Sequence, residues 1–134
     1  MKTTIYHCSP DEIKEFNFDF GVHFGGFFSA LEAGYRKLNN INMKYNCEQE
    51  IVYMHTCVLD ACKVYVCDDV GGFDAWNIEI DLAKKAGYDV LKYQNKYEPD
   101  LQPSYLVLNK KLIQLVKIET LTEKFVLEKL DQLY

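Results

Sequence analysis

A well-bounded helix followed by two short strands, in the second half of the chain, most constrains this fold. Asp74 suits a helix N-terminus, and Gly87 suits the turn that commonly ends a helix, which predicts a helix over residues 75–86. β-Branched and aromatic residues then predict strands at 90–93 and 104–108, separated by a loop that contains two prolines. The predicted apolar face of the helix consists of Ala75, Ile78, Leu82, Ala83 and Ala86.

The remaining sequence predicts separate groups of strands and helices. Capping boxes, in which a hydroxyl residue precedes a glutamate by three positions, predict helices from Ser9, from Ser29 to about Leu38, and from Thr120. The last helix, 120–134, has an apolar face formed by Val126, Leu127, Leu130 and Leu133. Because strands and helices do not alternate regularly, an α+β domain is favoured over a doubly wound parallel sheet. Further strands are expected at 3–7, 51–58, 62–67 and 113–118, with a polar loop at 39–47.

Length and charge limit the classes of partner. The chain has 134 residues, 49% of them apolar, which fits a single domain over residues 1–134. A net charge of −5 without any run of five or more Lys or Arg residues argues against a nucleic-acid acceptor and an anionic membrane surface. No apolar run approaches the ~20 residues that span a bilayer, and the first residues lack a signal-peptide pattern. We therefore expect a cytoplasmic protein.

The five cysteines predict reduced thiols. An odd number cannot all pair within one chain, and the sequence contains no Cys-x-x-Cys. The even spacing of Cys57, Cys62 and Cys67 is weak evidence for a metal, because an offset of five residues sends successive strand side chains to opposite faces. Free cysteine commonly packs as a small hydrophobe. We assign no metal ligand.

Two segments far apart in the sequence resemble a known family. The first contains Tyr6-His7-Cys8-Ser9, then Gly21-Val22-His23-Phe24-Gly25, then a helix with Tyr35. The second contains, in order, Gly87, Tyr88, Asp89, Asn95, Glu98, Ser104, Tyr105, Asn109 and Ile113. Together they resemble the ADP-ribosyltransferase fold over about residues 5–118, in particular the small mono-ADP-ribosyltransferases of phages and mobile elements. The opening through Pro10 is similar, more loosely, to an anti-CRISPR ADP-ribosyltransferase.

This resemblance implies a split β-sandwich of two short, mostly antiparallel sheets flanked by helices, with NAD in a cleft between the sheets. Cleavage of the bond between nicotinamide and ribose develops an oxocarbenium-like cation, which a nearby carboxylate stabilises. The resemblance implies Glu98 as that carboxylate. Asp100 is the alternative if the loop register differs, and Asp89 is a weaker third choice. His7 and Tyr35 complete the implied catalytic set.

The residues implied to bind NAD belong to the same segments. His7 would contact a ribose hydroxyl through its ring and the nicotinamide amide through its backbone, while Tyr35 would offer an aromatic face to the nicotinamide. The backbone of Gly25 and Gly26 would approach the cofactor closely. His23 and His55 are interpreted as structural. The implied NAD-binding set is His7, Cys8, Ser9, Gly25, Gly26, Tyr35 and Asn95.

The sequence departs from the family pattern at three positions. Cys8 and Val90 stand where the family often has glycine, and Lys96 replaces the first acid of a Glu-x-Glu pair, which makes arginine a less favoured acceptor. The resemblance implies transfer of ADP-ribose from NAD to a host protein, for example a defence component. The alternative is a catalytically inactive transferase fold that inhibits a partner protein by binding it. A tRNA-directed phosphotransferase of the same fold is disfavoured because no basic patch is visible.

Overall fold

A computed structural model describes residues 2–96 and 101–132 of the chain. Its strands form two small sheets. The first sheet is antiparallel and has the order β1-β3-β7, where β1 is Lys2–Ser9, β3 is Ile51–Asp60 and β7 is Ile113–Thr122. The second has the order β2-β6-β5-β4, where β2 is Val22–Phe24, β6 is Ser104–Val107, β5 is Val90–Tyr93 and β4 is Tyr65–Val66. Only the β4–β5 pair is parallel among these described strands.

Three helices cover the outer faces of the sheets. They are α1 (Phe27–Tyr45), α2 (Phe73–Lys85) and α3 (Glu123–Asp131), and a short 3-10 helix, Lys110–Leu112, precedes β7. Helices α1 and α3 lie against the first sheet, where Leu31, Met54 and Val126 are buried together. Helix α2 lies against the second sheet through a cluster that includes Trp76 and Leu106. The described chain is therefore an α+β protein, as predicted.

The two sheets face each other across a third apolar cluster. Ile5 and Leu59 from the first sheet pack there with Phe24 and Val107 from the second, and all four are almost completely buried. Side chains alternate along each strand, so Ile5 faces the second sheet while Cys8 faces α1. The protein is thus layered as helices, sheet, sheet, helix.

The sheets are joined where β1 passes β2. Tyr6 and Gly25 exchange two backbone hydrogen bonds, each 2.9 Å long, and form an isolated antiparallel bridge. This bridge places the end of β1 beside the end of β2 and the start of α1. The ends of three elements therefore meet at one place.

The helix predicted from Ser9 is wrong. The described chain has no helix between β1 and β2, and Ser9 Oγ instead accepts the backbone N–H of Asp11 at 3.1 Å, which closes a local turn. Phe16 and Phe18 from this segment pack against the cluster between the sheets. An irregular path that buries these rings outweighs the local capping signal.

The predicted bounds of the first long helix are also wrong. Helix α1 begins at Phe27 after Gly26, so Ser29 is a buried residue inside the helix rather than its cap. The helix continues to Tyr45 through the predicted loop at 39–47. There Asn42 exchanges hydrogen bonds with the backbone of Gln49, both at 3.0 Å, so tertiary contacts override the low helix propensity of asparagine.

Helix α2 was predicted at nearly the observed position, but of its predicted apolar face only Ala83 is fully buried. The positive φ of Gly87, 84°, confirms the predicted helix-ending glycine. The buried residues of α2 are Trp76, Ile80 and Ala83, whereas Ile78 and Leu82 are 63% and 48% exposed. The large Trp76 ring sets the face that packs on the sheet.

Other strand bounds also differ from prediction, because β1, β3 and β7 are longer than expected and β6 ends one residue earlier. Strand β4 contains two residues rather than the predicted six, whereas β5 has the predicted bounds. Thr120 pairs with Tyr53 in the β3–β7 ladder, and Thr122 Oγ1 accepts the N–H of Phe125 at 3.2 Å. The last helix therefore begins three residues later than expected. Val126 is buried on it, Leu127 is 39% exposed, and Leu133 lies outside the described residues.

Candidate functional site

A cleft with a volume of about 840 Å³ opens at the junction of the two sheets. The ends of β1 and β2 form its floor, α1 and α2 contribute its sides, and the segment between β1 and β2 covers part of it. Asn95 and Ser104, which flank the loop between β5 and β6, also line it. The cleft therefore collects residues from most elements of the fold.

His7 lies in this cleft at the end of β1. Its Nδ1–H donates to the backbone oxygen of His23 at 2.9 Å, because a carbonyl oxygen can only accept, and this leaves Nε2 as an acceptor. The rings of Phe16 and Phe24 lie 5.3 and 5.8 Å from the imidazole. Burial, with a contribution from the charge of Lys37, lowers the pKa of His7 to about 3. His7 is therefore a neutral hydrogen-bonding group.

His55 supports His7 from the neighbouring strand. Its Nδ1–H donates to the backbone oxygen of His7 at 2.9 Å, and its Nε2 accepts the N–H of Ile13 at 2.8 Å. The side chain is completely buried, and burial lowers its pKa. Both ring nitrogens are used by backbone groups, so His55 fastens the segment after β1 to the sheet.

His23 points away from the cluster between the sheets and into the cleft. On β2 its neighbours Val22 and Phe24 are buried, whereas His23 is exposed on the opposite side. Its Nδ1 lies 2.7 Å from Tyr93 Oη, and the Trp76 ring lies 5.1 Å from the imidazole. Partial desolvation of the imidazole by the surrounding cleft residues lowers the pKa of His23 to about 4, and the charge of Asp69 opposes this shift. The alternation along β2 is the sequence signal for this position.

Asp69 is a buried carboxylate in the cleft that sequence reasoning did not select. It is 8% exposed, and its two oxygens accept backbone N–H groups from Gly71, at 3.0 Å, and from Lys96, at 3.1 Å. The contact with Gly71 is the turn expected of an aspartate two residues before a glycine. The contact with Lys96 joins two segments that are distant in sequence, which no local pattern reveals.

Four of the implied NAD-binding residues line the cleft, namely His7, Cys8, Gly25 and Asn95. Cys8 is 1% exposed, and burial raises the pKa of its thiol to about 12, so the sulfur stays protonated and unreactive. A methyl group on Gly25 would lie 3.1 Å from Ser29 Cβ and 3.3 Å from Ser104 Oγ. Gly25 therefore permits the close approach of α1 to β6 at the cleft wall.

The other implied site residues are placed differently. Among the described residues, Ser9, Gly26 and Tyr35 are not part of the cleft lining. Ser9 closes the turn after β1, Gly26 caps α1, and Tyr35 packs in the cluster between α1 and the first sheet. A tyrosine on the buried side of an amphipathic helix commonly packs in the core, which is the position observed here.

The implied catalytic acids are not placed together by the described structure. Glu98 and Asp100 lie outside the described residues. Asp89 is exposed, and its Oδ2 accepts a hydrogen bond from Asn109 Nδ2 at 3.3 Å, away from the described cleft lining. Asn95 and Ser104, on either side of Glu98 in sequence, both line the cleft.

Helix α1 contributes two cationic side chains to the cleft lining. Arg36 and Lys37 are exposed residues on the helix side that lines the cleft. The charge of Lys37 acts on its surroundings, because it contributes to lowering the pKa values of both His7 and Cys8. The cleft thus combines two cationic side chains on α1 and the carboxylates of Glu15 and Asp69 with an aromatic floor.

No protein-family model matches the sequence, and no curated protein matches it. Within residues 2–96 and 101–132, no helix is both long and apolar enough to cross a bilayer. The same described residues contain no group of three His, Cys, Asp or Glu side chains arranged for a metal ion.

Proposed function

We propose that the protein is a mono-ADP-ribosyltransferase that binds NAD in the cleft and transfers ADP-ribose to a host protein. The observation that carries this proposal is the backbone bridge between Tyr6 and Gly25, which sets His7 at the floor of a cleft containing Asn95. The family resemblance implies the same residues at a nicotinamide site. The described α+β architecture of two facing sheets is compatible with that fold.

The nicotinamide riboside would occupy the region around His7. Its Nε2 accepts a hydrogen bond from a donor such as a ribose hydroxyl, because Nδ1–H is already bonded to His23. A low pKa keeps the imidazole neutral, so it does not repel the positively charged nicotinamide ring. Phe16 and Phe24 provide apolar, aromatic surroundings for that ring.

The diphosphate would face α1. Arg36 and Lys37 place cationic side chains along this wall, and such groups bind phosphate oxygens with charge-assisted hydrogen bonds. These two cations would neutralise phosphate charge locally, so a protein with a net negative charge could still bind an anionic cofactor. In the proposed orientation of NAD, the nicotinamide points towards β1 and the phosphates point towards α1.

The transferase chemistry requires a carboxylate near the nicotinamide ribose. Asp69 is not favoured, because it is only 8% exposed and its two oxygens hold the backbone N–H groups of Gly71 and Lys96 in place. We keep Glu98 as the acid, since Asn95 and Ser104 flank it in sequence and line the cleft. In the proposed step the bond between C1′ and nicotinamide breaks, nicotinamide leaves with the electron pair, and an acceptor nucleophile bonds to C1′. Glu98 stabilises the cationic ribose and takes the acceptor proton.

The acceptor is proposed to be a protein of the host cell, on which the transferase acts in the cytosol. The likeness to phage and anti-CRISPR transferases suggests a defence component, which is an analogy at the level of the family. The missing first acid at Lys96 makes arginine a less favoured acceptor side chain.

An inactive transferase fold that binds a partner protein is the second candidate. It is favoured by the packing of Cys8, whose position often holds glycine in the resembled family and whose side chain here contacts Gly34 of α1. This candidate has no need of NAD. The two functions are therefore separated by whether the folded protein binds NAD.

Binding of NAD can be tested by isothermal calorimetry on two matched variants of α1. Lys37→Gln removes a cleft charge and is expected to weaken NAD binding by about three- to tenfold, as for one phosphate contact. Lys44→Gln removes the same charge in the last turn of α1, outside the described cleft lining, and is expected to leave binding unchanged. Equal weakening by both variants, or no binding by the wild type, would contradict the proposed site.

A further inference from the structure

A second concavity, which we call the acidic groove, lies apart from the cleft and has a volume of about 1110 Å³. The segment after β1, the connection between α1 and β3, and one side of α3 form its walls. None of the described residues that line the groove also lines the cleft. The groove is therefore a separate surface that the proposed transferase chemistry does not use.

The floor of the groove is apolar and uncovered. Ile51 and Leu127 are 38% and 39% exposed although they flank buried positions on β3 and α3, and Tyr53 and Pro10 extend this floor. Apolar side chains left open in a concavity are typical of a surface that contacts another molecule. Desolvation of this floor would supply the favourable free energy of an apolar anchor.

The walls of the groove are fixed by hydrogen bonds between its segments. Gln49 Nε2 donates to the backbone oxygens of Pro10, at 2.8 Å, and Ile51, at 3.0 Å. The N–H of Glu123 donates to the backbone oxygen of Glu50 at 2.8 Å. Three segments are thus tied together before any partner binds, which reduces the entropy cost of binding.

The charge around the groove is predominantly negative. Seven carboxylates surround the apolar floor, and Lys124 is the single cationic residue among the described lining residues. A field of this kind attracts cationic partners and speeds their association. The acidic lining residues are Asp11, Glu12, Glu48, Glu50, Glu123, Glu128 and Asp131.

We propose that the acidic groove docks a cationic segment of a partner protein, one that carries lysine or arginine residues around an apolar side chain. Charge complementarity selects the cationic residues, and the Ile51 and Leu127 floor selects the apolar one. This inference does not depend on NAD chemistry.

A fluorescein-labelled peptide of about twelve alternating lysine and leucine residues is the probe, and fluorescence anisotropy gives its dissociation constant. The wild type is expected to bind with an affinity that falls as salt is raised. Leu127→Ser leaves the charge unchanged and is expected to weaken binding about tenfold. The double variant Glu50→Gln and Glu128→Gln is expected to weaken it by a similar factor.

A double variant with the same loss of charge serves as the control. Asp68→Asn with Asp81→Asn changes exposed residues outside the described groove lining and is expected to retain wild-type affinity. Weakening in the control equal to that of the groove variants would overturn the proposal, because binding would then report only net charge. An unchanged affinity in Leu127→Ser would overturn it as well. So would concentration-dependent self-association abolished by Leu127→Ser, since the groove would then pair two copies of this chain.

Discussion

The buried side chain of His55 helps to set the geometry of the cleft. Its ring satisfies one carbonyl and one N–H that belong to different segments, His7 on β1 and Ile13 in the connection to β2. From the sequence alone, His55 is only a polar residue within a predicted apolar strand. Its partners are 48 and 42 residues away, so the role becomes visible only in the folded chain.

Replacement of His55 by alanine is expected to lower the free energy of unfolding by about 2–4 kcal/mol. The change leaves two backbone groups without their partners and creates a cavity in a completely buried position. Urea unfolding followed by circular dichroism gives the free energy. A loss below 0.5 kcal/mol would mean that water or other groups replace both hydrogen bonds.

Gly34 tests the contact between α1 and β1. Alanine is the better helix former by about 1 kcal/mol, so a free helical position would be stabilised by Gly34→Ala. Here a methyl group would lie 2.7 Å from Cys8 Cβ and 3.2 Å from the Cys8 carbonyl carbon. We expect the clash to prevail and Gly34→Ala to destabilise the protein by about 1–3 kcal/mol in thermal unfolding.

A matched substitution separates these two effects. Ala33→Gly, at the neighbouring helical position, removes a methyl group and is expected to cost about 1 kcal/mol through helix propensity. Stabilisation by Gly34→Ala would show that α1 moves away from β1 freely, contrary to the close packing described here.

At the scale of elements, Asp69 joins the connection before α2 to the residues that follow β5. The carboxylate holds the N–H of Lys96, two residues before Glu98 in sequence. Loss of this acceptor is expected to increase amide exchange at Lys96 without unfolding the sheet. Asp69 would then be a positioning residue for the segment that carries the proposed catalytic acid.

Hydrogen exchange measured by mass spectrometry checks this role in Asp69→Asn. The segment containing Lys96 is expected to exchange about tenfold faster or more, while β3 and β7 keep their protection. Asp68→Asn, at the exposed neighbouring residue, is the control and is expected to leave exchange unchanged. Uniform loss of protection in Asp69→Asn would indicate global destabilisation and contradict a positioning role.

The sequence predicts some elements better than others for physical reasons. Strand β5 was predicted with its observed bounds because apolar and β-branched residues are confined there between Gly87 and a polar loop. The prediction of a helix from Ser9 was wrong because the burial of Phe16 and Phe18 stabilises a non-helical path more than the capping residues stabilise a helix. The predicted end of α1 was wrong because the side chain of Asn42 forms hydrogen bonds with the backbone of Gln49, and helix propensity does not include such tertiary contacts.

The candidate site could be predicted in part from the resemblance. The family pattern indicates His7, Cys8, Gly25 and Asn95, which line one cleft. It also indicates Tyr35, which packs in the core, and it misses the Asp69 bridge because that bridge depends on tertiary structure. Glu98 stays a prediction, because it lies outside the described residues.

At the scale of the whole molecule, buried neutral histidines couple stability to pH. The pKa of His7 is lowered to about 3 in the folded protein, whereas an unfolded histidine titrates near 6.5. Between these values the unfolded chain binds more protons than the folded one, so acid favours unfolding. The stabilising effect is complete above about pH 6.5 and is lost as the pH falls towards 3.

The free energy of unfolding is therefore expected to fall between pH 6.5 and 5, where most carboxylates remain ionised. The slope contributed by His7 is at most about 1.4 kcal/mol per pH unit, and His55 acts in the same direction. Urea unfolding at several pH values gives this slope, which His7→Gln should reduce. An equal slope in the variant would show that His7 remains accessible to protons in the folded state.

Release of nicotinamide from NAD tests the central claim most directly. The purified protein, with and without a host-cell extract, is incubated with NAD, and free nicotinamide is measured by chromatography. We expect release by the wild type and a loss of about a hundredfold or more in Glu98→Gln, which keeps the shape of the side chain but removes its charge. His7→Ala should also reduce release. Equal rates in the wild type and Glu98→Gln would remove Glu98 from the mechanism, and no release under either condition would contradict the proposed transferase activity.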